Sequence, residues 1–285
     1  MIKDLYSKKK IASNWFETLQ KIFLYEFQNI EINYAKKNKK KIKRFKIRNW
    51  KKSDTKEEGG GSSAIIKNGN VFDSIGVNFS EVRGKFNKKF KSQILGANKK
   101  PDYWASGISI VAHMKNPKIP AMHFNTRFIV TKKEWFGGGI DATPSFQDRN
   151  EKINFHKKIK KMCNNHNKKY YLKYKKWCDK YFYLPHRKET RGMGGIFFDH
   201  KQKNWEKDFS FVRDVGLCFL DCAKDILENK IHKKWTLKQK NDQFIKRGRY
   251  VEYNLLYDKG TKFGLNTNGN TDAILMSLPP IAKWN

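Results

Sequence analysis

Apolar residues recur along the chain at two distinct periods. Ile11, Trp15, Leu19, Ile22/Phe23 and Phe27 fall three or four residues apart, which predicts an amphipathic helix over 11–27. Similar spacing predicts helices over 147–163 and over 204–228, the second through Trp205, Phe209, Val212, Phe219, Ala223 and Leu227. Elsewhere β-branched and aromatic residues alternate with polar ones, which predicts strands over 103–113, 121–131, 194–199, 249–258 and 272–278. A short edge strand fits Arg44–Arg48, where Phe45 and Ile47 alternate with cations. Gly59-Gly60-Gly61-Ser62-Ser63 reads as a tight loop, because Ala64-Ile65-Ile66 and Val71-Phe72 resume structure directly behind it. Helix, strands, helices and further strands predict an α/β fold of the α+β type, one domain spanning 1–285 around a large, mostly antiparallel sheet. The basic first ~50 residues are expected to be its variable part.

Composition narrows the class. With 38% hydrophobic and 14% aromatic residues over 285 positions, the chain can fill a core, and disorder throughout is excluded. No apolar run approaches the ~18 residues that cross a bilayer, and the opening MIKDLYSKKK lacks the apolar segment of a secretory signal. Cys163, Cys178, Cys218 and Cys222 are too sparse for a disulfide scaffold. A cytoplasmic protein without membrane insertion is expected. Lys and Arg number 61 against 27 Asp and Glu, a formal net charge of +34. Most of the cations are Lys and Asn is frequent too, so the excess reads first as a solvated surface written in AT-rich codons. It would nonetheless steer any polyanion inward. Residues 36–56 hold 12 Lys/Arg against Asp54 alone, but no helix-turn-helix, RNA-recognition or zinc-finger pattern accompanies them, and no nucleic-acid partner is expected.

Period-two arithmetic supplies the candidate chemistry. A strand over 107–113 places Ser109, Val111 and His113 on one face; one over 122–128 places His123, Asn125 and Arg127 on one face and Phe124, Thr126 and Phe128 on the other. A third, over 251–258, would set Glu252, Asn254 and Asp258 opposite bulky residues. In so Lys-rich a chain a merely solvated face should carry Lys, whereas these positions carry Ser, His, Asn, Arg, Glu and Asp. Arg127 has the planar fork that grips a carboxylate. Gly137–Gly139 and Gly192-Met193-Gly194-Gly195 match neither a P-loop nor a dinucleotide fingerprint, and the seven histidines show no HExxH spacing. A histidine-cluster metal enzyme therefore stays a minor alternative.

The stretch from Trp177 to Asp199, WCDKYFYLPHRKETRGMGGIFFD, resembles the signature of the oxygen-dependent coproporphyrinogen III oxidases of haem biosynthesis. Gly76–Ser80, the 107–127 segment with His123-Phe124-Asn125-Thr126-Arg127, Trp135–Pro144, Arg249–Asn254 and Gly264-Leu265 resemble the same family, over roughly residues 50–284. The resemblance implies a homodimer whose subunit is an antiparallel sheet flanked by helices on both faces. It implies conversion of two propionates of coproporphyrinogen III to vinyl groups with O2 as co-substrate and no obligatory cofactor. By position it implies substrate contacts at Ser109, Asn125, Thr126, Arg127 and the loop Asn268-Gly269-Asn270. His123 would be the proton donor, and Asp258 would hold the pyrrole N–H groups. A divalent cation such as manganese on His113, His123, His156 and His186 is implied for some bacterial members. Asn268-Gly269-Asn270 replaces a Gly-Gly-Arg of relatives and Lys259 replaces an Arg, which removes one cation and one bidentate fork.

Overall fold

The computed structural model describes residues 4–52, 58–86, 92, 94–98, 100–266 and 270–284. Asp4 starts the first helix, α1 (Leu5–Lys37), by accepting the backbone N–H groups of Tyr6 and Ser7. Its buried stripe of Ala12, Phe16, Leu19, Phe23 and Phe27 keeps the expected spacing and simply runs on at both ends. The chain then forms β1 (Lys46–Lys51), β2 (Gly59–Lys67), β3 (Phe72–Lys85), β4 (Asp102–Met114), β5 (Ala121–Val130) and β6 (Glu134–Thr143). Helices α2 (Arg149–His166) and α3 (Tyr170–Tyr181) follow, then the small hairpin β7 (Tyr183–Leu184) and β8 (Glu189–Thr190). Strand β9 (Gly194–Lys201) returns to the sheet. Helices α4 (Trp205–Lys230), α5 (Leu237–Leu256), α6 (Lys259–Asn266) and α7 (Thr271–Leu275) complete the described chain. Asp148, Asn204 and Thr236 cap α2, α4 and α5 through side-chain oxygens.

Among the described residues the main sheet has seven strands in the order β1-β2-β3-β4-β5-β6-β9, every neighbour antiparallel. It is a meander with one helical excursion before its last strand. The expected antiparallel sheet with helices on both faces is what the chain forms. Helices α1 and α4 cover one face, where Phe23 meets Phe124 and Phe219 edge-on at 5.6 Å and Phe124 stacks on Phe219 at 5.4 Å. The opposite face is polar and is approached at one end by α5 and the turns around α7: the His113 imidazole reaches the Ser277 carbonyl at 3.0 Å.

Three expectations need correction. Residues 249–258 are mostly the last turns of α5, and 272–278 contain α7, so neither is a strand. The inward residues of α5 include Gln243, Arg247, Tyr250 and Asn254, spaced three or four apart. Because that face is largely polar it leaves no apolar helical stripe, and the alternation of Val251, Tyr253, Leu255 and Tyr257 imitates a strand. Gly59–Ser63 is part of β2, paired with both β1 and β3. Gly61 is required there: a Cβ would stand 2.6 Å from the Trp50 ring.

Candidate active site

Strand β5 alternates as expected, with His123, Asn125 and Arg127 half-buried on the polar face and Phe124, Thr126 and Phe128 sunk into the core. Register sets Ser109 of β4 directly beside Asn125, and Asn78 of β3 beyond Ser109. On the other side Arg127, Asn125 and His123 are level with Gly137, Gly139 and Asp141 of β6. The result is a floor poor in side chains, bounded by groups that bind hydrogen and charge.

These side chains form one connected row. Arg127 Nη2 donates to Asp199 Oδ2 at 3.0 Å and its Nη1 to Asn125 Oδ1 at 3.3 Å. Asn125 Nδ2 lies 3.0 Å from His123 Nε2, and His123 Nδ1 lies 2.6 Å from Asp141 Oδ1. This pattern assigns the proton to Nδ1 and leaves Nε2 as acceptor. Trp135 Nε1 steadies the far end by donating to Asp199 Oδ1 at 3.1 Å. A Cβ on Gly137 would stand 2.5 Å from that same oxygen and 3.0 Å from Arg127 Nη2, so only glycine leaves room for the Arg127–Asp199 pair.

Behind His123 the row becomes buried. Asp141 Oδ2 accepts from Arg191 Nη2 at 2.5 Å, and Arg191 Nη1 donates to Asn254 Oδ1 at 3.1 Å. The guanidinium lies 4.1 Å, 4.3 Å and 4.9 Å from the ring centres of Phe182, Tyr250 and Tyr253. Burial alone would raise the Asp141 carboxyl, but Arg191 and His123 outweigh it and hold the group below the usual carboxylate range. The Asp141 carboxylate thereby holds the imidazole by Nδ1 and fixes which nitrogen faces the open side. By contrast Arg127 keeps 34% of its side chain exposed, and His123 18%, so the front of the row is open to a ligand.

The remaining expected residues disperse. Thr126 points into the core on the face away from His123, its hydroxyl without a hydrogen-bond partner. Asn270 caps α7 by accepting the Ala273 N–H, while Asn268 and Gly269 lie outside the described residues. Asp258 is on no strand. It follows α5, accepts the Thr261 N–H at 2.6 Å at the start of α6, and accepts the Tyr181 hydroxyl at 2.9 Å. Burial, and then the Asp258 charge, push the Tyr181 phenol well above its ordinary value, so it stays a donor; its ring stacks on Phe197 at 4.2 Å. Glu252 points away from Asn254, towards His186, Arg187 and Trp284.

The expected four-histidine metal set does not assemble. His156 is committed to the Met193 carbonyl and the Tyr171 hydroxyl, His186 to Glu252 and Tyr257, and His123 to Asp141 and Asn125. His113 is buried near the cations Arg247 and Arg191, and burial above all pushes its pKa down to about 3. Among the described residues no group of three or more His, Cys, Asp or Glu side chains is placed to hold a metal ion. Asp141, Arg191, Asp199 and Tyr181 were missed as site residues. All four sit inside the signature blocks, yet no local spacing links them to His123.

Fold and site together define an α+β protein with a polar, glycine-floored sheet face on which Arg127, Asn125 and His123 stand in a row. The coproporphyrinogen III oxidase family profile matches residues 12–285, further towards the N-terminus than the motifs alone indicate. The oxygen-dependent coproporphyrinogen-III oxidase of Rickettsia akari (strain Hartford) is 50% identical over 278 residues, 97% of this chain and 98% of that protein. Proteins of the same description from Rickettsia bellii (strain OSU 85-389) and Rickettsia rickettsii (strain Sheila Smith) are 50% and 49% identical over 97% of this chain and 98% of their own lengths. The chain belongs to the coproporphyrinogen III oxidase family.

Proposed function

We propose that this chain converts coproporphyrinogen III to protoporphyrinogen IX with molecular oxygen, as a cytoplasmic homodimer. The observation that carries the reading is the row Arg127–Asn125–His123 on an open sheet face, held from behind by Asp199 and Asp141, in a member of this family. Each turnover at one propionate breaks the bond to the carboxylate carbon and removes a hydride equivalent from the carbon next to the ring. The products are a vinyl group and carbon dioxide, and O2 takes the hydride equivalent with one proton to become hydrogen peroxide.

The residues divide that work. Arg127 binds a propionate through its planar fork and Asn125 and Ser109 orient it. Gly107, Gly137 and Gly139 leave a floor on which a broad macrocycle can lie. Asp258 accepts pyrrole N–H groups, and electron density released by their deprotonation makes the ring reactive towards O2. His123, its ring held by Asp141 and Asn125, supplies the proton that peroxide needs. Asn268, Gly269 and Asn270, the last at the start of α7, contact the substrate as the family resemblance implies. Thr126 acts by packing β5 from behind, and manganese is assigned no step because the four histidines do not meet. No helix among the described residues is long and apolar enough to cross a membrane.

Purified protein mixed with reduced coproporphyrin under air should yield protoporphyrin fluorescence after oxidation, with one peroxide per vinyl formed, and nothing without oxygen. Exhaustive chelation should leave the rate unchanged. Absence of product under air, with or without added manganese, would overturn the reading.

A further inference from the structure

One end of the molecule gathers the turns that follow α1, β2, β4 and α4. Tyr34 of α1 stacks on His232 at 5.6 Å, and Asn70 in the β2–β3 turn donates to the Lys41 carbonyl. Asn116 in the β4–β5 turn donates to the carbonyls of Lys230 and Lys233. Two basic stretches distant in sequence are thereby joined: Lys36, Lys37 and Lys39–Lys41 from one, Lys233 and Lys234 from the other, all exposed. Most carboxylates of this end are committed elsewhere. Glu31 accepts the N–H groups of Asn70 and Val71, Asp73 pairs with Lys240 and Arg247, and Asp148 and Glu151 pair with Lys230. Glu228, one turn earlier on α4, is an exposed exception.

Two apolar side chains project from the middle of this charge. Trp235 is 38% exposed and Leu237 83% exposed, within Lys233-Lys234-Trp235-Thr236-Leu237-Lys238. Their presentation is fixed: Thr236 caps α5 by accepting the Gln239 N–H while the Gln239 side chain accepts the Thr236 N–H, and the Lys240 ammonium sits 5.8 Å from the Trp235 ring centre. Burying Leu237 inside its own chain would be favourable, yet the fold holds it in water.

We propose that this end docks on an anionic lipid surface, with Lys36–Lys41 and Lys233-Lys234 against the headgroups and Trp235 and Leu237 at the boundary with the acyl chains. A nucleic acid would satisfy the cations and could stack on Trp235, but offers an isolated aliphatic side chain nothing. A lipid interface satisfies both. The purpose rests on the proposed reaction: losing two of four carboxylates and gaining two vinyl groups turns a water-soluble tetra-anion into an amphiphile that partitions towards membranes. The docking itself is measured without substrate, so it stands or falls separately from that activity.

The test is flotation of the full chain with phosphatidylcholine vesicles and with vesicles containing about one-third phosphatidylglycerol. Binding should require the anionic lipid and weaken as salt is raised. Lys233→Glu/Lys234→Glu and Trp235→Ala/Leu237→Ala should each lower partitioning roughly tenfold. Thermal melting should be unchanged, and Leu237→Ser should show the same direction if the Trp235 change disturbs α5. Equal binding to neutral and anionic vesicles would overturn the proposal. So would anionic binding that survives loss of Trp235 and Leu237 while an RNA oligonucleotide competes it away, which would mark a nucleic-acid surface.

Discussion

Arg127 and Asp258 make different demands on their side-chain chemistry, and conservative substitutions separate those demands. Arg127 holds Asp199 and Asn125 with one terminal nitrogen each, so its plane is fixed before any ligand arrives. Arg127→Lys keeps the charge and loses the fork, and should lower kcat/KM by about 10–100-fold, the scale of ~1–3 kcal/mol for a charged hydrogen bond. Steady-state kinetics at unchanged melting temperature check this. Asp258→Asn retains a competent cap for α6, since asparagine accepts an N–H as well as aspartate does. The variant should therefore fold normally, and its turnover should fall about 10²-fold if the carboxylate serves the pyrrole nitrogens. Turnover within twofold of the parent would reduce Asp258 to its observed contacts with Thr261 and Tyr181. Asp141→Asn should be costlier to the fold, by ~3–5 kcal/mol in denaturant titration, because it leaves the Arg191 charge buried and unpaired.

At the level of elements, the glycines that make β6 useful also conceal it. Glu134–Thr143 contains Gly137, Gly138 and Gly139, residues depleted in strands, and β2 opens with three more. Gly137→Ala should force Arg127 and Asp199 apart and cost activity at least as much as Arg127→Lys. Circular dichroism should still show the sheet, and the KM for substrate should rise. Strands β4 and β5 and helices α1, α2 and α4 are legible because each buries an apolar face at one clear period over much of its length, and β9 because it is a short run of bulky apolar residues buried on both faces. The end of α5 was not, because Gln243, Arg247 and Asn254 line its buried side. The site shows the same division. His123, Asn125 and Arg127 are visible as alternate positions of a single strand. Asp141, Arg191 and Asp199 reach them only through strand pairing and a hairpin loop, which leaves no mark in local spacing.

For the whole molecule, buried ionisable groups set the response to acid. Burial holds the His113 pKa at about 3, against 6.5 for the free side chain. Above about pH 6.5 the group is neutral folded or unfolded and costs nothing. As pH falls towards its folded pKa the unfolded chain binds a proton that the folded one refuses, so stability is lost, by up to ~3 kcal/mol at pH 4. His113→Asn should start less stable at neutral pH and lose less on acidification, which urea titrations at pH 7 and pH 4.5 would reveal.

The helical excursion between β6 and β9 has a consequence during synthesis. When β5 and β6 have left the ribosome, His123 and Asp141 can already meet, but Arg191 and Asp199 arrive only with the returning strand and the loop before it. Until then Arg127 lacks the Asp199 carboxylate that sets its plane, and Asp141 lacks the guanidinium that offsets its burial. A chain that ends before the returning strand therefore holds Arg127, Asn125 and His123 without the Asp199 and Arg191 contacts that complete their row.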